Sequence, residues 1–179
     1  PLWQALDLHL FAWVGGGHAA RPRTLALACA LGRWSWVPLL ALMTAVALRD
    51  GAAGLIGLVQ CLAVAALVQL ASKRLARRWS AQRPFMVGLS PNHLQQGARG
   101  GWPSSHAVSM ACVSAAVWVA GVPPLLVVSA VLLTLATGWA RIYVGAHFPS
   151  DVLAGWGLGL CGGTLGMALA TPWLGSVGV

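Results

Sequence analysis

Three short segments of this sequence hold residue types that could act together on a phosphate group. They are Gln82-Arg83-Pro84-Phe85, Pro103-Ser104-Ser105-His106, and the run from Ala140-Arg141 through His147 to Asp151. Two guanidinium forks, Arg83 and Arg141, can grip phosphate oxygens bidentately. Ser104 and Ser105 open an apolar stretch, where the first backbone N–H groups of a helix and its positive dipole end favour an anion. His147 can act as nucleophile if a carboxylate holds its other ring nitrogen, and Asp151, four residues on, supplies one. Pro149 suits the first turn of a helix, which places His147 just ahead of that turn and Asp151 inside it. His106 is a second imidazole, suited to protonating a leaving oxygen. This set makes a phosphatase with neither a metal ion nor a cofactor conceivable.

Each segment alone has a plainer account. Ser104 could simply cap a helix, either arginine could snorkel to the membrane surface, and a lone His147 could be a satisfied polar residue. What joins the segments is the membrane topology that the rest of the chain imposes. Of 179 residues, 58% are hydrophobic and 8% charged, with three acids (Asp7, Asp50, Asp151), no Glu and a net charge of +8. A soluble domain carries about 25% charged residues, so an ordinary soluble globule is excluded. High hydrophobicity excludes disorder, and three carboxylates are too few for a two-carboxylate glycosidase or a carboxylate-built metal site.

An apolar run of about 20 residues can cross a bilayer as a helix. Thr24 to Leu48, Gly51 to Ala71, two runs within Ala107 to Ala140 broken around Gly121-Val122-Pro123-Pro124, and Val152 to about Ala170 predict five spans in an all-α bundle. Leu2 to Val14, with Asp7 and His9 among apolar residues, suits a short interfacial helix better than a crossing or a cleavable signal peptide. Residues 1–179 thus read as one transmembrane domain, with its motifs between 72 and 159. Counting crossings puts Ser72 to His106 and Arg141 to Asp151 on one membrane face, whereas Asp7 and Asp50 fall at membrane edges.

The basic residues cluster between apolar runs instead of covering a water-exposed surface, so anionic lipid is the expected partner and nucleic acid is not. Cys29, Cys61, Cys112 and Cys161 lie in apolar stretches without CxxC spacing and read as small core residues. Trp79, Trp102 and Trp139 suit an aromatic belt, and His9 and His18 suit headgroup depth. Asn92, His93, Gln95, Gln96 and Arg99 lie on a glycine-rich loop that is either solvated or recognises a second phosphate.

The three segments resemble the type-2 phosphatidic acid phosphatases, which share their site design with vanadium haloperoxidases and bacterial acid phosphatases. That family's pattern is Lys, six residues, Arg-Pro; then Pro-Ser-Gly-His; then Ser-Arg, five residues, His, three residues, Asp. Here the lysine position is Ala76, Ser105 stands for the glycine and Ala140 for the serine. Lys73 and Arg77 flank the lysine position. The opening Asp-Leu-His-Leu-Phe and the stretch from Arg83-Pro84-Phe85 through Asn92-His93-Leu94 are most similar to bacterial undecaprenyl-diphosphate phosphatases. The resemblance implies that His147 forms a phosphohistidine and His106 protonates the departing lipid phosphate. Asp151 would orient His147, Arg83, Arg141, Ser104 and Ser105 would bind phosphate, and Lys73, Arg77 and Arg99 would help hold substrate.

It also implies a bacterial inner-membrane protein whose site opens to the outer face, recycling an isoprenoid carrier during cell-wall synthesis and supporting bacitracin resistance. The positive-inside rule points the other way. Apart from Arg83 and Arg141, the site face holds Arg21, Arg23, Lys73, Arg74, Arg77, Arg78 and Arg99, and the opposite face Arg49. Cations that attract a diphosphate lipid would bias that count, so the outer face is the expectation. The alternatives are a phosphatase of glycerophospholipid substrates such as phosphatidate or phosphatidylglycerophosphate, a lipid phosphotransferase, and a catalytically silent lipid-binding protein.

Overall fold

Prolines set the starts of three helices in this chain. Pro22, Pro124 and Pro149 each occupy a first helical turn, where the missing N–H costs nothing and the fixed φ is already helical. In the computed structural model, which describes residues 2–79 and 81–175, the chain forms α1 (Leu2–Val14), α2 (Pro22–Trp34), α3 (Trp36–Arg49), α4 (Gly51–Ala76), α5 (Ser105–Val119), α6 (Pro124–Tyr143) and α7 (Pro149–Gly175). Short 3-10 turns lie at Gly17–Ala19 and Pro84–Val87. Among the described residues there is no strand.

The expected five spans reduce on length and hydropathy to three: Gly51–Ala76, Pro124–Tyr143 and Pro149–Ala170. A fourth forms if α2 and α3, which bend by 48° across Ser35, count as one broken crossing. The stretch expected to supply the remaining span is α5, an apolar helix of only 15 residues. At 1.5 Å per residue it is roughly 22 Å long, against about 30 Å of hydrocarbon. Its shortness has a structural counterpart: α5 is the buried centre of the bundle, with α4, α6 and α7 packed around it.

The tightest of these contacts is α5 on α7. Gly155, Gly159 and Gly163 recur every four residues along one face of α7, opposite Ala107, Ala111 and Ala115 of α5. A Cβ on Gly155, Gly159 or Gly163 would run into the carbonyl oxygen of Ser104, Val108 or Cys112 respectively. Such small-residue stripes let helix backbones approach closely where no hydrophobic drive exists between helices in lipid. The consequence is positional: the N-termini of α5 and α7 lie side by side, and the Ser104 N–H donates to the Asp151 carbonyl at 2.9 Å.

α1 is helical over the expected residues, but Asp7 is not a free membrane-edge carboxylate. Asp7 and Phe11, one turn apart, are buried against the protein, while Leu2, Leu6, Leu8 and Trp13 stay exposed. Asp7 accepts hydrogen bonds from Ser150 at the start of α7, so two of the three acids lie at the site end of the bundle.

Candidate active site

The five-residue spacing between Arg141 and His147 follows from how α6 ends. Gly145, at φ +71°, takes the left-handed conformation that closes many helices. The chain turns back so that the Arg141 carbonyl accepts the N–H of Ala146 (3.1 Å) and of His147 (3.2 Å). Arg141 and His147 are thereby fixed together, each almost wholly buried, at 2% and 1% exposure.

Arg141 is aimed by the break in the α2–α3 pair. Ser35 interrupts the helix, so the Gly32 carbonyl is among the last of α2 and is open to another donor. Arg141 Nη1 donates to it at 3.3 Å. One turn earlier on α6, the Thr137 and Ser35 hydroxyls share a hydrogen bond of 2.7 Å, which pins the break against α6.

Arg83 reaches the same point from the opposite side, held by the loop that follows it. Its Nε donates to the Arg99 carbonyl (2.9 Å) and its Nη2 to the Gly100 carbonyl (3.3 Å). Nη1 donates to Gln96 Oε1 and to the Ala146 carbonyl (3.1 Å). Gln96 is itself fixed by Asn92, whose side chain donates to the Gln96 carbonyl (2.8 Å) and accepts its N–H (2.9 Å). The loop is therefore a bracket for Arg83, a role its sequence does not announce.

Both guanidiniums face one atom, His147 Nε2, with Arg83 Nη1 at 3.4 Å and Arg141 Nη2 at 3.3 Å. A guanidinium only donates, so Nε2 must present its lone pair and the ring proton belongs on Nδ1. Nδ1 lies 3.6 Å from Asp151 Oδ2, an ion-pair separation longer than a hydrogen bond. The same Oδ2 accepts the Phe148 N–H at 2.9 Å, which fixes the carboxylate beside the ring. Burial first, then the charges of Arg141 and Arg83, hold His147 well below its ordinary pKa of 6.5, so the ring is neutral and nucleophilic at neutral pH. Burial also draws the Arg83 pKa down from its ordinary value, while the Asp151 charge opposes that shift.

Ser104 sits at the N-cap of α5, yet its hydroxyl makes no capping bond, so the plainer account of this serine does not hold. Ser104 Oγ, His106 Nδ1, Arg141 Nε and His147 Nδ1 are buried side-chain atoms without a hydrogen-bond partner among the described residues. Unsatisfied buried donors and acceptors are costly, and clustering marks a place built for a polar ligand. Ser105, the first residue of α5, is half-buried beside them.

The side chains expected to hold substrate are placed differently. Lys73, Arg77 and Arg99 are exposed, and none of their side chains bonds to the cluster among the described residues. Arg99 contributes its carbonyl to Arg83 instead. Of the three, Lys73 is near enough for its charge to act on the His106 ring. Trp79 and Trp102 meet edge to face at the same end, with centroids 4.5 Å apart. The bonds of Asp7 to Ser150, of Gln96 to Arg83 and of the Gly32 carbonyl to Arg141 are the contributions that sequence reasoning missed.

The model of the PAP2 superfamily matches residues 54–173, which include all three segments. The chain belongs to the PAP2 superfamily. Its fold matches the crystal structure of a transmembrane PAP2-type phosphatidylglycerolphosphate phosphatase from Bacillus subtilis, with a TM-score of 0.74 and 22% identity over 96% of this chain and 88% of that one. No curated protein matches its sequence. The family and the apolar helices make the chain a PAP2-type membrane phosphatase.

Proposed function

We propose that the protein hydrolyses the terminal phosphate of an isoprenoid diphosphate, undecaprenyl diphosphate in particular, through a phosphohistidine. The observation that carries the chemistry is His147, with its Nε2 lone pair between two guanidiniums and its Nδ1 toward Asp151. Arg83, Arg141, Ser104 and the N–H groups that open α5, including that of Ser105, hold the phosphoryl oxygens. His147 Nε2 attacks the terminal phosphorus, and the bond from phosphorus to the bridging oxygen breaks. His106 gives that oxygen its proton, and Asp151 stabilises the imidazolium character that develops on His147. His106 then takes a proton from water as the water oxygen attacks the phosphohistidine, which releases phosphate and restores His147.

The preference for a diphosphate rests on two exposed cations close to the cluster, Lys73, whose charge reaches the His106 ring, and Arg99, whose carbonyl holds Arg83, which suit a second phosphate that stays in water. A glycerophospholipid monophosphate is the second reading, favoured by the fold match to a phosphatidylglycerolphosphate phosphatase. In the isoprenoid-diphosphate reading α5 completes a five-crossing topology, and the site opens to the outer face of a bacterial inner membrane. A membrane-impermeant thiol reagent should label Arg74→Cys from outside, and labelling only after lysis would reverse that orientation.

The deciding experiment measures phosphate release by the purified protein, in EDTA, from undecaprenyl diphosphate, phosphatidate and phosphatidylglycerophosphate. Undecaprenyl diphosphate should give the highest kcat/KM, and a clear preference for phosphatidylglycerophosphate would establish the second reading. His147→Ala should lower turnover by at least about 10³-fold, and Asp151→Asn by about 10²- to 10⁴-fold with the protein still folded. Vanadate should inhibit as a mimic of the five-coordinate transition state. Full activity in His147→Ala would discard the mechanism.

A further inference from the structure

α1 gives its one buried stripe to the segment that carries His147. Asp7 Oδ1 accepts the Ser150 N–H at 2.9 Å, and Oδ2 accepts the Ser150 hydroxyl at 2.6 Å. The Phe11 ring meets Phe148 edge to face, with centroids 5.7 Å apart. Just past α1, the Gly16 N–H donates to the Tyr143 carbonyl at 2.9 Å. These contacts fall on both flanks of His147, at 143, 148 and 150, and each spans more than 120 positions of sequence.

The first N–H groups of a helix have no partner within it and form its positive dipole end. The Ser150 N–H is one of those groups in α7, and a carboxylate from a separate helix satisfies it. Holding Ser150 holds the next residue, Asp151, whose Oδ2 must stay beside His147 Nδ1 at 3.6 Å. An ion-pair separation that long leaves little bonding of its own to maintain the alignment, so the alignment depends on the backbone around it.

We infer that Asp7 is a positioning residue of this site: by capping the first turn of α7 from outside, it keeps Asp151 and His147 in register. This inference rests on the proposed phosphatase reaction. Asp7 touches no reacting atom, and its part is geometric: its two carboxylate oxygens hold the N–H and the hydroxyl of Ser150 at the start of α7. Asparagine keeps an acceptor for the Ser150 N–H in its Oδ1 and can donate its amide N–H to the Ser150 hydroxyl oxygen.

The test compares Asp7→Ala, Asp7→Asn and Ser150→Ala with the wild type, using the full chain and undecaprenyl diphosphate as the probe. Alongside the kinetics, ¹⁵N-histidine NMR of the resting protein reads the protonated nitrogen of His147 and does not depend on turnover. Asp7→Ala should lower kcat roughly 10- to 100-fold with KM nearly unchanged, as expected of misaligned groups. It should also convert the His147 signal from a single Nδ1–H form to a mixture. Asp7→Asn should restore most of kcat and the single form. Ser150→Ala, which removes one of the two bonds, should fall between them and serves if Asp7→Ala does not fold. Wild-type kcat and wild-type His147 signals in folded Asp7→Ala would overturn the inference, as would an equal loss in Asp7→Asn. If the wild type releases no phosphate from this lipid, the proposed reaction fails while the NMR comparison still decides whether Asp7 sets the His147–Asp151 register.

Discussion

At the far end of the bundle Arg49 and Asp50 are neighbours in sequence and bond to each other, Nε to Oδ1 at 3.1 Å, with side chains 72% and 42% exposed. At the site end Arg141 and Asp151 are each 2% exposed, and neither bonds to the other. The far pair borders an apolar cavity of about 510 Å³ near Gly121, so it has room beside it. The site end has a cluster of buried polar atoms still short of partners. The same residue types therefore do different things. In water an arginine and an aspartate satisfy each other and are screened. In a desolvated cluster the arginine keeps bonding capacity that is aimed at whatever binds there, while the aspartate is committed to holding the histidine. The difference teaches that burial and unspent bonding capacity make a site, and neither residue type nor free volume does.

Of the changes that set the two ends against each other, the largest effect should come from weakening the charge field at the buried end. Arg83→Gln keeps some length and polarity but loses the positive fork, and should lower kcat/KM by about 10²-fold. The pH dependence is the sharper measurement. Neutral His147 is the active form of the free enzyme, and its folded-state pKa is depressed. Activity should hold as pH falls to 6.5 and be lost only at lower pH, as the His147–Asp151 pair takes up a proton. Arg83 is one of the charges that disfavour the imidazolium. Removing it should raise the His147 pKa and move the acid limb of kcat/KM to higher pH, in profiles from about pH 4.5 to 8. Arg83→Lys, which keeps the charge without the fork, should leave the limb near its wild-type place. A limb that moves to lower pH in Arg83→Gln would show that the two arginines do not set the field at His147.

A smaller effect should follow from loosening the interface that brings the two helix starts together. Gly159→Ala puts a Cβ into the Val108 carbonyl, a backbone atom that cannot swing aside. It should destabilise the fold by about 1–3 kcal/mol, the usual cost of overpacking. Gly157 is two residues away on the open side of α7, where a Cβ meets nothing within 4 Å. Gly157→Ala should leave stability unchanged or raise it by up to about 1 kcal/mol through helix propensity. Thermal unfolding in one detergent compares the two, and equal melting temperatures would remove the α5–α7 contact as the element that aligns Ser104 with Asp151.

Local signals made the helices and the three segments legible. Apolar runs and first-turn prolines located α4, α6 and α7, and the Arg141, His147 and Asp151 spacing matches how α6 ends and α7 begins. What stayed hidden depends on chain separation or on backbone atoms. Nothing near Asp7 announces a partner 143 positions away at Ser150. The Gly32 carbonyl became available only because Ser35 breaks α2 from α3, whereas the apolar pattern there reads as one continuous span. Gln96 looked like either a solvated residue or a phosphate ligand, since its bond to Arg83 needs the loop geometry set by Asn92. The repeat Gly155, Gly159, Gly163 was visible as a small-residue pattern and could have predicted the close α5 packing.

The smallest effect should come from the exposed pair itself. Arg49→Ala removes a bond that water and salt already weaken, so stability should change by no more than about 0.5 kcal/mol. Its charge lies near the opposite end of helices that span a bilayer of about 30 Å, and its side chain is 72% exposed, so water and salt at that surface screen it. The kcat/KM and its acid limb should therefore stay in place, within about twofold, because Arg49 makes no contact with the site and its exposed charge is screened by water. Measured beside Arg83→Gln, this variant separates two accounts of why His147 is neutral. If the depressed pKa is set by burial and by the two arginines beside the ring, only the site-end change moves the limb. If removing Arg49 moves the limb as well, net charge is acting through the whole bundle, and the two ends are not electrically separate.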